Sequence, residues 1–169
     1  MRERNKKPIM WTLYGVLFLV MCVLQTTLLG DVTLFTAKFS LMPTLIACVA
    51  MIQGAERGGI YALACGFFWY CSGADGTALP IITFTVCGIV IGWLGENFLV
   101  RSFLSALLVS LGATVFCQGA LLAVKCYLGG ANAGFVPKYL IGAAISLIAC
   151  PILYPVSCAI GRIYKEQKI

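Results

Sequence analysis

Residues 40–95 read SLMPTLIACVAMIQ GAERGG IYALACGFFWYC SGADGTA LPIITFTVCGIVIGWLG. Two short apolar runs, Leu41–Gln53 and Ile60–Cys71, flank the polar sextet Gly54–Gly59, and a longer run, Leu79–Gly95, follows. Taken as one straight helix, Ser40–Ser72 would reach about 50 Å at ~1.5 Å per residue, against a hydrocarbon core of ~30 Å. Gly54, Gly58 and Gly59 also weaken any helix that runs through them. The stretch is therefore read as a tight hairpin of two half-length helices, with Glu56 and Arg57 in a water-facing turn.

Composition supports spans on either side of it. Hydrophobic residues make up 61% of the chain, charged residues 11%, and mean hydropathy is +0.98, far from the balance of a water-soluble domain. The expected fold class is all-α: a polytopic membrane protein of six transmembrane helices in one bundle, with both termini cytoplasmic. The spans fall near 9–29, 41–54, 58–72, 79–96, 103–128 and 138–160, in a single integral membrane domain over 1–169. Ile9–Leu29 is long enough to cross and lacks a small-x-small cleavage site, so it reads as a retained first helix and not a signal peptide. Pro43 and Pro80 each fall in the first turn of a span, where the missing N–H is harmless. Pro151 and Pro155 inside the last span predict a kink.

Topology follows from the basic residues. With the hairpin, Arg2, Arg4, Lys6, Lys7, Arg57, Arg101, Arg162, Lys165 and Lys168 lie on one side and Lys38, Lys125 and Lys138 on the other, nine to three. Without it, Arg57 is stranded in lipid and the remainder divide six to five. The positive-inside rule selects the hairpin. The net charge of +6 is topogenic, with no basic stripe interleaved with aromatics, so nucleic acid is not an expected partner.

The chemistry-bearing residues are sparse. Asp31, Glu56, Asp75 and Glu96 are loop residues and Glu3 and Glu166 lie in the tails, so no acid sits mid-span, where an intramembrane enzyme or proton-coupled transporter usually keeps one. The chain has nine cysteines but no histidine and no C-x-x-C, and Cys22, Cys48, Cys65, Cys87, Cys117 and Cys150 lie within apolar runs. They read as small packing residues; no metal or cofactor is expected. Phosphate-loop, nucleophile-elbow and zinc-protease motifs are missing from the sequence, which argues against an enzyme.

What remains is helix packing. Gly58, Ala62 and Gly66 recur every four residues on the third span, and the fourth carries Gly88-x-x-x-Gly92. Such faces let helix backbones approach closely, within the chain or between copies. Gln25 near the end of the first span either turns toward other helices or lies at headgroup depth in water. Gln118, beside Gly119-x-x-x-Ala123, either bonds another helix or touches a ligand.

The order of these signals resembles a known family. Leu24-Gln25-Thr26-Thr27-Leu28-Leu29, then Met42-Pro43-Thr44-Leu45, Gly54 with Arg57-Gly58-Gly59, Gly66-Phe67, a Gly/Asp turn and Gly88-x-x-x-Gly92 together resemble MreD, the rod shape-determining membrane protein of bacteria. The resemblance implies a six-helix fold similar to the S-components of energy-coupling-factor transporters. It also implies a non-enzymatic role in the cell-elongation machinery of the bacterial cytoplasmic membrane. The implied partners are MreC, the actin-like MreB filament, the polymerase RodA and a class B penicillin-binding protein, besides membrane lipid. A second reading is an S-component that binds a vitamin-like molecule, with Gln25, Asp31, Asp75 and Asn132 near its site. S-components resemble one another in an Ala-x-x-x-Ala surface on the first helix, and Ile9–Leu29 contains no alanine. A homo-oligomeric channel built on Gly88-x-x-x-Gly92 is a third, weaker reading, since no ring-forming charged helix is visible.

Overall fold

A computed structural model describes residues 6–27, 41–72, 78–98, 102–127, 146 and 150–165. Six α-helices form among them: α1 (Lys6–Thr27), α2 (Met42–Gln53), α3 (Ala55–Cys71), α4 (Leu79–Asn97), α5 (Phe103–Tyr127) and α6 (Cys150–Lys165). The described residues contain no strand. Asp31, Asp75, Asn132, Lys38, Arg101 and Lys138, and all but Ser146 of residues 138–149 of the sixth expected span, lie outside them.

The helices are arranged around α2. Its sequence, MPTLIACVAMIQ, is apolar on every side, and a helix of that kind must be covered all round; Met42 through Met51 are all buried. It packs against α3, α4, α5 and α6, and reaches α1 through Gln53, whose Nε2 donates to the Tyr14 hydroxyl at 3.0 Å. Around it, α3 packs on α4, α4 on α5, α5 on α6 and α6 on α1. The ring closes between α1 and α3, where Tyr14 and Tyr61 meet edge to face at 6.0 Å and Phe18 meets Phe68 at 5.8 Å. At ~1.5 Å per residue α2 is only about 18 Å long, and its neighbours screen it from the outside.

The turn between α2 and α3 corrects the expected sextet. Gly54 alone breaks the helix, at φ +88° and ψ −179°, while Ala55–Gly59 are already helical. Glu56 lies in the first turn of α3, where a carboxylate is favourable to the helix dipole. Gly58 and Gly59 are held in the helix by packing. A Cβ on Gly58 would lie 2.7 Å from Ala50 Cα, and one on Gly59 2.7 Å from Ile89 Cγ1. Helix α3 starts at Ala55, ahead of the expected 58, and α1 and α6 extend as helix beyond the expected span limits at 9 and 160, to Lys6 and to Lys165. Pro151 is the second residue of α6 as described, and Pro155 lies inside it.

Several polar side chains within this core are tied to backbone. Thr83 donates to the Leu79 carbonyl at 3.0 Å, Ser110 to Leu107 at 2.9 Å and Thr114 to Ser110 at 3.0 Å, so each hydroxyl is satisfied in its own helix. Tyr14 instead joins helices. Its hydroxyl donates to the Ser157 carbonyl at 3.2 Å, and its carbonyl accepts from the Tyr61 hydroxyl at 3.2 Å. Tyr14→Phe leaves the Ser157 carbonyl and the Gln53 amide each without this partner, and is expected to cost about 1–3 kcal/mol. Thermal unfolding of the purified variant checks it; an unchanged midpoint would show that the hydroxyl contributes nothing.

Candidate functional site

The tightest contact in the bundle is the seam between α3 and α4, and glycine makes it. The two helices run antiparallel, with Gly92 against Ala55, Gly88 against Gly58 and Ala62, and Gly66 against Pro80 and Ile81. A Cβ on Gly88 would lie 2.5 Å from Ala62 Cβ and 2.9 Å from the Gly58 carbonyl oxygen. On Gly66 it would meet Ile81 Cα at 2.8 Å, and on Gly92 the Ala55 N and Cα at 2.6 Å. No side chain larger than hydrogen fits at these points without moving backbone.

The seam extends further than its sequence motif. Gly95 adds a third contact on α4, a Cβ there falling 3.0 Å from the Met51 carbonyl oxygen, so the face that bears Gly88 and Gly92 also packs on α2. Gly88, Gly92 and Gly95 are spaced four and three apart, which places them on one helix face. That spacing was the available signal for Gly95. Gly54, which falls four residues ahead of Gly58 in the same series, takes part through its backbone conformation, and Gly59, outside that series, through a neighbouring isoleucine.

The sequence candidates thus divide. Gly58, Ala62 and Gly88 meet one another inside the chain, Gly66 meets Pro80 and Ile81 and Gly92 meets Ala55, and all five are buried. They are unavailable to a partner unless α3 and α4 separate. Gln25 is buried at the end of α1, and its Oε1 accepts from the Leu41 N–H at 3.3 Å, which ties α1 to the start of α2. Gln118 stands apart from the seam, on α5. It is 6% exposed, and neither Oε1 nor Nε2 has a hydrogen-bond partner among the described residues.

The outward faces are apolar. Ile82, Leu104, Leu108, Ile60 and Ile152 each expose more than 60% of their surface. On α5, Gly112 and Gly119 also face open space, with nothing within 4 Å of a Cβ built on either. Among the described residues the charged positions stand at the helix ends: Lys6, Lys7, Glu56, Arg57, Glu96, Lys125, Arg162 and Lys165 all lie within four residues of a terminus of their helix. Two helical segments, Leu79–Asn97 and Phe103–Val124, are long and apolar enough to cross a membrane; Ile9–Gln25, Met42–Gln53 and Cys150–Gly161 are apolar but shorter. Among the described residues no group of three or more His, Cys, Asp or Glu side chains could hold a metal ion. No family model, curated protein or solved structure matches the chain.

Proposed function

We propose that the protein is a multi-pass component of the bacterial cytoplasmic membrane that docks the transmembrane helices of partner proteins. In this reading it helps organise peptidoglycan synthesis during cell elongation, as its resemblance to MreD implies. The observation that carries the membrane part is the distribution of charge: among the described residues the charged ones stand at the helix ends, and the surface between them is apolar. That pattern suits a hydrocarbon slab bounded by two aqueous faces.

Orientation follows from the same residues. The α2–α3 turn, the start of α1 and the ends of α4 and α6 share one end of the bundle, since Tyr14 meets Gln53, Gly95 meets Met51 and Gly161 meets Ile52. Five basic positions, Lys6, Lys7, Arg57, Arg162 and Lys165, belong to that end, against Lys125 at the other. The turn end is therefore cytosolic. Trp11, Trp93, Phe98 and Phe103 belong to it too, as suits a belt of aromatics at a membrane interface. α2, shorter than the slab, need not reach both faces because its neighbours cover it.

Cysteine labelling tests the topology. In a variant stripped of its own thiols, Glu56→Cys is expected to react with a membrane-impermeant maleimide only in inside-out vesicles, and a cysteine retained at position 126 only in intact cells. Reaction of position 56 from outside would overturn the orientation. Docking is tested by crosslinking and co-purification with an MreC-like protein, a RodA-like polymerase, a class B penicillin-binding protein and an MreB-like filament. Recovery of the chain free of all four would remove the scaffold reading.

A further inference from the structure

We propose that four core cysteines form two oxidisable pairs, Cys48 with Cys150 between α2 and α6 and Cys87 with Cys117 between α4 and α5, which a lipid-soluble hydroperoxide closes to disulfides. The inference goes beyond the scaffold reading and does not depend on it. It starts from how the nine free cysteines divide. Cys71 and Cys126 are exposed, and the buried Cys65 bonds to Tyr61 of its own helix. Cys48, Cys87, Cys117 and Cys150 are each 7% exposed or less. Every one of these four meets another of them across a helix interface, within hydrogen-bonding reach: Cys48 meets Cys150, and Cys87 meets Cys117.

Packing fixes the first pair independently. α2 and α6 are in contact and run parallel, since Thr44 meets Ser146 and Ile52 meets Gly161. The Thr44 hydroxyl donates to the Ser146 carbonyl at 3.4 Å, and Cys48 and Cys150 each stand four residues further on. Four residues return a helix to nearly the same face, so the contact at one level is repeated by the cysteines at the next. The second pair lies where the buried stripes of α4 and α5 meet. Phe84, Cys87 and Ile91 belong to one stripe and Ala113 and Cys117 to the other, and the two helices pack together. Both pairs join residues distant in sequence, so neither shows as a C-x-x-C.

Closure needs the two sulfurs at about 2.05 Å and the Cβ atoms at about 3.8 Å, which thiols already in contact reach by side-chain rotation and a small helix shift. The pairs are buried in an apolar core, so the oxidant must itself be lipid-soluble, as an organic hydroperoxide is. One thiol attacks the peroxide and breaks its O–O bond, giving a sulfenic acid and an alcohol. The second thiol then displaces water from the sulfenic acid and the S–S bond forms. Two thiols and one hydroperoxide thus give one disulfide, one alcohol and one water. The products tie the central α2 to α6 and α4 to α5 and confine the unfolded chain to closed loops. The α3–α4 seam receives no covalent tie and stays free to part.

Thiol counting on the purified full chain tests the proposal. The folded protein is treated with cumene hydroperoxide, then denatured and alkylated, and the alkylated cysteines are counted by mass spectrometry. The count is expected to fall from nine to five and to return to nine when a phosphine reductant precedes alkylation. In Cys48→Ala the thiol of Cys150 is expected to survive oxidation while Cys87 and Cys117 still close, and Cys87→Ala should spare Cys117 in the same way. Should the variants fail to fold, disulfide-linked peptides from the oxidised wild type decide, by joining Cys48 to Cys150 and Cys87 to Cys117. Nine thiols left after oxidation, a loss that the phosphine does not reverse, or linked peptides that join other cysteines overturns the pairs.

Discussion

Replacing Gly92 with alanine is expected to destabilise the bundle by about 3 kcal/mol, at the upper end of what overpacking a core usually costs. The size follows from what the added methyl would meet. At Gly92 the three nearest atoms are Ala55 Cα, Ala55 N and the Gly54 carbonyl carbon, all at 2.6 Å and all backbone. None of them can rotate aside as a side chain end would, so α3 must shift bodily, and Gly58 and Gly88 lose their contact with each other. Gly88→Ala is expected to act in the same direction, since it meets the Ala62 methyl and the Gly58 carbonyl. The internal control is α5. Gly112 and Gly119 have open space at the same test position, so alanine there should be neutral or stabilise by up to about 1 kcal/mol through helix propensity. Unfolding midpoints of the four purified variants separate the groups. A Gly92→Ala protein that melts with the wild type would show that α3 and α4 are not packed backbone to backbone.

That contrast also marks what could be read from the chain alone. Pro43 and Pro80 announce the starts of α2 and α4 because proline fits only the first turn, and the structure places both there. The four-residue spacing of Gly58, Ala62 and Gly66 identifies a face, because spacing is a local property. Which helix covers that face is not local. Nothing in Gly88-x-x-x-Gly92 distinguishes its contact with α3 from the open surface at Gly112 and Gly119, since glycine carries no record of its neighbour. The sextet misled for a related reason: Gly58 and Gly59 carry turn propensity, but here they are the two positions where α3 must lie against Ala50 and Ile89. Tertiary packing outweighs a propensity of about 1 kcal/mol per residue. The central position of α2 was visible only as a half-length apolar run. Gln118 stood out as a polar residue in an apolar segment, but its missing partner is a fact of three dimensions.

Gly54 is the second position where alanine should be poorly tolerated, and there two causes can be separated. Its backbone, at φ +88° and ψ −179°, lies in a region open essentially to glycine alone, and another residue held there costs about 1–3 kcal/mol. Independently, the Cβ would occupy the space of the Glu96 carboxylate, which reaches across from the end of α4 and lies against Gly54. The first cost belongs to the turn and the second to a movable side chain. Glu96 is exposed, so truncating it should change stability little by itself. A double-mutant cycle then divides the effect. Gly54→Ala alone is expected to lose about 2–3 kcal/mol, and combining it with Glu96→Ala should restore only the part due to the carboxylate, leaving at least about 1 kcal/mol of backbone strain. Full rescue by Glu96→Ala would mean that the turn itself accepts alanine. The reversal of the chain between α2 and α3 would then not depend on a glycine at residue 54.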